Sequence, residues 1–166
     1  MADAKLTAKS GLTAPALNDY VYIVDVSDTT DDPAGSSKKI LVSDLIKVIP
    51  FEYSVALGDE LTNMTTGTKV TFRFPFTATI TSVDFYVGTA PTGSTAILDI
   101  KKNGTTIFST KPSIDATETS STTGATPAVI SVPSVTQGDL IAVSIDQVGS
   151  TVPGIAPKLT IYYTRA

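Results

Sequence analysis

The sequence contains no cysteine, no histidine and no tryptophan. Without cysteine there is no disulfide framework, no thiolate nucleophile and no cysteine metal cluster. Without histidine the Ser-His-Asp and Cys-His arrangements of hydrolases are excluded. We therefore expect a fold held together by packing alone, with no catalytic residue, no bound metal and no cofactor, in a protein that is not an enzyme.

Charge is also scarce. Charged residues make up 17% of the chain and the net charge is −4, whereas about 25% is typical of a soluble domain. No positive field exists to collect phosphates, which predicts no nucleic-acid partner. The low charge fits either a surface covered by serine and threonine or a surface partly buried against other subunits. Depletion of charge is typical of interface cores, so we favour the second interpretation.

Long apolar runs are missing as well. The N-terminal stretch MADAKLTAKSGLTAPALNDY lacks the apolar centre of a secretory signal. The longest strongly apolar run, near residues 20–26, is far shorter than the ~20 residues that span a bilayer. We expect no membrane partner. The length of 166 residues suits one ordinary domain with an appendage.

Residues 1–50 differ in character from the rest and are predicted to form an N-terminal arm. Two strand-like runs, 20–26 and 38–42, flank the polar loop SDTTDDPAGSS and predict a loose hairpin. Ser43 precedes DLIKVI and is expected to cap a short helix that Pro50 ends. The arm has so few apolar side chains that it would bury too little surface to fold alone. We therefore expect this arm to dock on something larger.

From Phe51 onward the apolar period is two, which is the spacing of half-buried strands. Pro75 cannot donate to a central ladder, so its strand is expected to lie at an edge or to break there. About seven or eight such strands separated by turns predict an all-β domain over residues 51–166, an antiparallel, jelly-roll-like β-sandwich. The side chains predicted to face its core are Val70, Phe72, Phe74, Phe76, Val83, Phe85, Val87, Leu98, Ile100, Ile107, Ile141, Val143, Ile145, Leu159, Ile161 and Tyr163.

Two connections in this domain have distinct sequence signals. Asn103-Gly104 tolerates positive φ at both central positions of a type I′ turn, which predicts a structural hairpin turn that sets the register of DIKK against TTIF. Residues 113–128, SIDATETSSTTGATPA, show no alternation and consist mainly of small polar side chains. They predict an exposed loop that is free to contact a partner.

Acidic residues and two tyrosines are the remaining candidates for chemistry or for binding. Asp99, Asp139 and Asp146 fall at outward or turn positions of the alternation, which predicts solvated carboxylates. Tyr86 and Tyr162 also point outward and could contact a sugar or an interface, or simply be exposed. A denser acidic group does not follow the EF-hand spacing, so we favour a plain acidic loop over a calcium site; its members are Asp25, Asp28, Asp31 and Asp32.

Several stretches in order resemble a known family. The stretch at residues 88–110 reads GTAPTGSTAILDIKKNGTTIFST, and a Thr-rich loop, VTQGDLIAVSIDQVGSTVPG and the strand LTIYY follow it. Together, over roughly residues 70–164, they resemble a β-sandwich domain that recurs in tailed-bacteriophage virion proteins: head fibres, capsid decoration proteins and some tail-fibre proteins. The N-terminal KLTAKSGLTAPALNDYVYIVDVSDTT and SSKKILVSDLI resemble the first segment of many phage and prophage fibre proteins.

The resemblance implies a homotrimer whose N-terminal part attaches to the virion and whose sandwich projects outward. No repetitive shaft separates arm from sandwich, which favours a capsid decoration or cement protein of the head-fibre type on the capsid surface, assembled in the host cytoplasm. The alternative is a tail-fibre or receptor-binding tip that contacts host surface glycans. In the first interpretation the arm binds the major capsid protein through Leu6, Leu12, Leu17, Tyr20, Tyr22 and Val24.

Overall fold

The computed structural model describes residues 14–166 of the chain. The chain divides after Val48 into two compact units, whereas the sequence placed the boundary after residue 50.

The first unit is a β-hairpin followed by a short helix. Strands β1 (Tyr20–Asp25) and β2 (Ser36–Leu41) pair antiparallel, and helix α1 (Val42–Val48) follows β2 directly. The predicted hairpin and short helix are therefore present. The helix begins one residue before Ser43, so Ser43 lies inside its first turn and the prediction that it is the capping residue is wrong. In residues 14–166 no helix is long and apolar enough to cross a membrane.

The second unit contains six long strands and five short ones, which confirms the prediction of an all-β fold. The long strands are β3 (Pro50–Ala56), β4 (Gly67–Arg73), β5 (Ala78–Tyr86), β6 (Ala96–Lys102), β12 (Leu140–Gln147) and β13 (Lys158–Arg165). The short strands, of two or three residues, are β7 (Thr105–Thr106), β8 (Phe108–Thr110), β9 (Ser113–Ile114), β10 (Val129–Ile130) and β11 (Ser134–Val135). Strands β9 and β11 gave no apolar pattern of their own, because two residues cannot show a period.

These strands form antiparallel sheets whose order departs from chain order. One sheet has the order β11-β5-β13-β3, and another has the order β4-β12-β6-β7, with β9 also pairing with β6. A third pair joins β8 and β10. Strands β3 and β4 therefore lie at the ends of their sheets. Strand β13 occupies a central position and pairs with β3 on one side and β5 on the other.

The second unit has one hydrophobic core to which the two larger sheets contribute. The alternation correctly predicted the buried faces of β5, β6, β12 and β13, because every second residue of a strand points to the same side. Phe85, Leu98 and Ile161 are among the side chains with no exposed surface. Strand β4 ends at Arg73, before Pro75, and it is also an edge strand. Both outcomes expected from the proline hold, and Phe74 remains buried beyond the end of the strand.

Asn103 and Gly104 form the two-residue turn between β6 and β7. Their φ angles are 49° and 89°, in the left-handed region that a type I′ turn requires. The turn places Lys102 opposite Thr105. The Asn103 side chain also accepts a hydrogen bond from the Leu140 N–H at 2.9 Å, so the turn is attached to the start of β12.

The segment 113–128 is less exposed than its composition suggested. Ile114 lies in β9 with no exposed surface. The backbone of Ser121 donates to the Phe85 carbonyl at 2.8 Å, and Thr119 accepts from the Val87 N–H at 2.9 Å. The expectation of an exposed loop is therefore wrong for Ile114 and Ser121, which are buried, while half of the residues of the segment are exposed. Small polar residues lack an apolar pattern, but they still make backbone hydrogen bonds that hold a loop against a strand.

Candidate functional site

The first unit exposes apolar side chains on both faces of its hairpin. Tyr22 is 81% exposed, and the other predicted docking residues within the described range, Leu17, Tyr20 and Val24, are also exposed. Leu6 and Leu12 lie outside the described residues. Successive strand residues point to opposite faces, and Val21 and Ile23 on the second face are exposed as well.

Within residues 14–48 no apolar side chain is buried, and the only buried residue is Ser36. A two-stranded hairpin with no core of its own is at best marginally stable in water. Contiguous exposed apolar surface is typical of an interaction site. The hairpin therefore has the properties of a surface that a partner covers.

The acidic loop between β1 and β2 uses its carboxylates to organise its own backbone. Asp25 accepts hydrogen bonds from the N–H and hydroxyl of Ser27. Asp28 accepts from the N–H and hydroxyl of Thr30 and forms an ion pair with Lys38 at 2.6 Å. The hydrogen bond from Lys38 is the largest cause that holds the pKa of Asp28 far below its ordinary value. Over the described residues no group of three or more acidic side chains is arranged to hold a metal ion.

The prediction that Asp99 is solvated is wrong. Its side chain is 1% exposed although the β6 alternation points it away from the core. The hydroxyl of Thr106 donates to Asp99 Oδ1 at 2.5 Å, and Lys111 Nζ lies 3.1 Å from Oδ2. This ion pair lacks good hydrogen-bond geometry, so Oδ2 has no hydrogen-bond partner within the described part of the chain. The chain after the Asn103-Gly104 turn covers the outer face of β6, which the alternation alone could not reveal.

Lys111 joins two carboxylates from neighbouring strands. It donates to Asp146 Oδ2 at 2.6 Å while contacting Asp99, and Ser144 donates to the other Asp146 oxygen at 2.9 Å. The hydrogen bond to Asp146 is the main cause that raises the pKa of Lys111. Burial opposes ionisation of Asp146, but the hydrogen bonds from Lys111 and Ser144 outweigh it and lower the pKa of Asp146. Lys111 and Asp146 are thus both held in their charged forms. This arrangement suits an ion pair that stabilises the fold, and it does not suit proton transfer.

Asp139, the third candidate carboxylate, lies in the turn before β12. It accepts from the Thr136 N–H and from the Asn103 amide, both at 2.8 Å. The hydrogen bond from the Thr136 N–H is the largest cause that lowers the pKa of Asp139. Asp139 is therefore not part of the ion-pair contacts that Lys111 makes with Asp99. Its contacts are those of a turn residue.

The two outward tyrosines differ in environment. Tyr86 is half-buried and its backbone forms a bridge with Ser120. Tyr162 is 36% exposed in the middle of β13. Neither tyrosine lines the groove along β5 or the cavity beside Tyr53 and Phe72. A contact of these rings with a sugar therefore stays a prediction.

Two concave surfaces were not foreseen from the sequence. A groove of about 750 Å³ follows β5 and is lined by uncharged side chains, including Thr79, Thr81 and Val129. A smaller cavity of about 170 Å³, which we call the aromatic slot, is lined by Tyr53, Phe72, Arg73, Phe74, Pro75 and Tyr163. The alternation of Phe51, Tyr53 and Val55 in PFEYSVA could have located β3. It could not have shown that the ring of Tyr53 on β3 contacts the ring of Phe72 on β4.

Comparison of the chain with protein-family models, curated proteins and solved structures gave no match.

Proposed function

We propose that this chain is a structural virion protein of tailed bacteriophage, a capsid decoration or cement protein of the head-fibre type. In this proposal the first unit binds the major capsid protein and the second unit, a jelly-roll-like sandwich, projects from the capsid surface as part of a homotrimer. The family resemblance of the sequence supplies the identity of the partner. The exposed apolar hairpin is the structural observation that carries the proposal, because it needs a covering surface.

The energetics of docking follow from the exposed side chains. Full burial of one leucine- or valine-sized side chain contributes about 1.5–3 kcal/mol. A few such contacts per arm give a modest affinity after the cost of association is subtracted. Three arms on one trimer act together, because the second and third bind intramolecularly at high effective concentration. The trimer would thus bind firmly through contacts that are individually weak.

Binding to purified, undecorated capsids tests the proposal. Deletion of residues 1–48 should leave a folded second unit that no longer joins particles. A milder variant, Tyr22→Asp with Val24→Asp, should reduce capsid binding at least about tenfold, because each charge must be desolvated at an apolar interface. Leu61→Asp is the matched control, since Leu61 is highly exposed but belongs to the second unit. Retained capsid binding by the deleted protein would contradict the role of the arm.

The alternative function is a tail-fibre or receptor-binding tip that contacts host surface glycans. Parallel binding to host cells separates it from the first proposal. A protein that adheres to cells and ignores undecorated capsids would overturn the decoration role. The mass of the protein in dilute solution tests the homotrimer independently of either partner.

A further inference from the structure

The Asn103-Gly104 turn has two features that favour loss of the asparagine side-chain amide. Both residues are exposed to solvent. Glycine has no side chain to shield its backbone nitrogen, and a Cβ added at Gly104 would meet nothing within 4 Å. Asparagine is a chemically labile residue, because the backbone nitrogen of the next residue can attack its side-chain amide carbon. The pair is therefore a candidate site of spontaneous deamidation.

The reaction needs only the turn and water. The Gly104 nitrogen loses its proton to solvent and bonds to Cγ of Asn103. The bond from Cγ to Nδ2 breaks, so ammonia leaves and a five-membered succinimide remains. Water then adds to either ring carbonyl and opens the ring to aspartate or isoaspartate. The net change is the gain of one water and the loss of one ammonia.

The folded structure opposes the first step by holding the Asn103 side chain. Its Nδ2 donates to Asp139 Oδ1 at 2.8 Å, and its Oδ1 accepts from the Leu140 N–H at 2.9 Å. We call these two hydrogen bonds the Asn103 clamp. Ring closure folds the side chain back onto its own backbone, so the amide must leave both partners before Cγ can meet the Gly104 nitrogen. The clamp therefore adds to the barrier of the reaction.

Asp139 is a fixed acceptor for this clamp. Its other carboxylate oxygen accepts from the Thr136 N–H at 2.8 Å, and its backbone carbonyl accepts from the Phe74 N–H at 2.9 Å. Hydrogen bonds from Thr136 and Asn103 lower the pKa of Asp139, so the carboxylate is ionised at neutral pH. A hydrogen bond to an ionised acceptor is stronger than one between neutral groups.

We propose that Asn103 is a deamidation site whose rate is set by the Asn103 clamp, with Asp139 as the protecting residue. The reaction would replace an amide donor by a carboxylate, so two like charges would face each other where a 2.8 Å hydrogen bond stood. Isoaspartate would also add one carbon to the backbone of a two-residue turn. Modification therefore detaches the turn between β6 and β7 from the start of β12. This chemistry does not depend on the role of the arm or on attachment to a virion.

Prolonged incubation of the full chain at mildly alkaline pH, followed by peptide mass mapping, measures conversion of Asn103. The folded chain should react at least about tenfold more slowly than the peptide Lys-Lys-Asn-Gly-Thr-Thr, which lacks the clamp. Asp139→Ala should react about tenfold faster than the unchanged protein, because a hydrogen bond to a charged group is lost. Hydrogen exchange of the Leu140 amide, which reports opening of the clamp, should rise in the same variant.

Asp59→Ala is the matched control. Asp59 is also a turn carboxylate that accepts from two backbone N–H groups, those of Leu61 and Thr62, and its hydrogen bonds stay within residues 59–62. It should change the rate at Asn103 less than about twofold. If Asp139→Ala does not fold, Asp139→Asn removes the charge at nearly constant size and should accelerate the reaction severalfold. Equal rates in peptide and protein, or equal effects of the two alanine variants, would overturn the proposal.

The variant Asn103→Asp tests the consequence of the reaction. Its midpoint of thermal unfolding should be lower than that of the unchanged protein, because the new carboxylate faces Asp139. Adding Asp139→Asn should restore part of the loss, since a side-chain amide can donate to the new carboxylate. An unchanged midpoint in Asn103→Asp would contradict the predicted detachment of the turn.

Discussion

The two units use the same kinds of side chain in opposite ways. In the second unit, isoleucine, leucine and phenylalanine fill a shared core between sheets. In the first unit, valine, isoleucine and tyrosine stand on both faces of a hairpin with no apolar residue buried among residues 14–48. Apolar content alone therefore does not identify the stable part of a chain. What matters is whether enough sheet surrounds the apolar face to remove it from water.

The largest expected effect tests this contrast directly. Phe85→Ala should lower the free energy of unfolding of the second unit by about 3–5 kcal/mol, because it leaves a cavity in a packed core. Tyr22→Ala should change it by less than about 0.5 kcal/mol, as expected for an exposed position. Urea unfolding of both variants, followed by a signal from the second unit, checks the difference. Equal destabilisation would show that the hairpin is part of the same core.

The next effect concerns the ion pair on the outer face of β6. Lys111→Met should destabilise the second unit by about 2 kcal/mol or more, because it leaves the buried Asp99 carboxylate without its cation. Adding Asp99→Asn to that variant should restore part of the loss, since the charge is then gone. Urea unfolding of the two variants measures this coupling. If the double variant is less stable than Lys111→Met, the carboxylate is not the source of the cost.

A smaller effect is expected at the hairpin turn. Asn103→Ala should cost about 1–2 kcal/mol, because alanine disfavours positive φ and loses the hydrogen bonds to Leu140 and Asp139. Asn103→Gly keeps the backbone conformation and loses only the side-chain bonds, so it should cost less. Thermal unfolding of both variants separates the two contributions. Equal costs would assign the whole effect to the side chain.

The smallest effect is the response to acid. The pKa values of Asp139 and Asp146 are lowered in the folded protein, so their contribution is present above the unfolded value of about 3.9 and is lost as pH falls through the folded values. Stability should therefore decrease below about pH 4. Urea unfolding between pH 6 and pH 2.5 measures the slope. Asp139→Asn should make the dependence of the unfolding free energy on pH less steep. An unchanged slope would show that Asp139 does not contribute to the response to acid.

The parts of the fold that the sequence predicted depend on local pattern. Alternation located the buried faces of strands such as β12 and β13, and Asn103-Gly104 located a turn, because each signal lies within a few neighbouring residues. Asp99 was assigned wrongly because its covering groups, Thr106 and Lys111, come from chain that folds back over the strand. The aromatic slot depends on contact between Tyr53 of β3 and Phe72 of β4, which tertiary structure decides.

The central position of β13 has a consequence for how the protein is made. Its partner β3 is about a hundred residues earlier in the chain, as the hydrogen bond between Ser54 and Thr160, 106 residues apart, shows. Pairings over such separations form slowly, and the ribosome must release β13 before the sheet that contains β3 and β5 can close. During that interval β3 and β5 have unpaired edges while the apolar hairpin is already synthesised. The nascent chain is therefore most exposed to aggregation before β13 emerges from the ribosome.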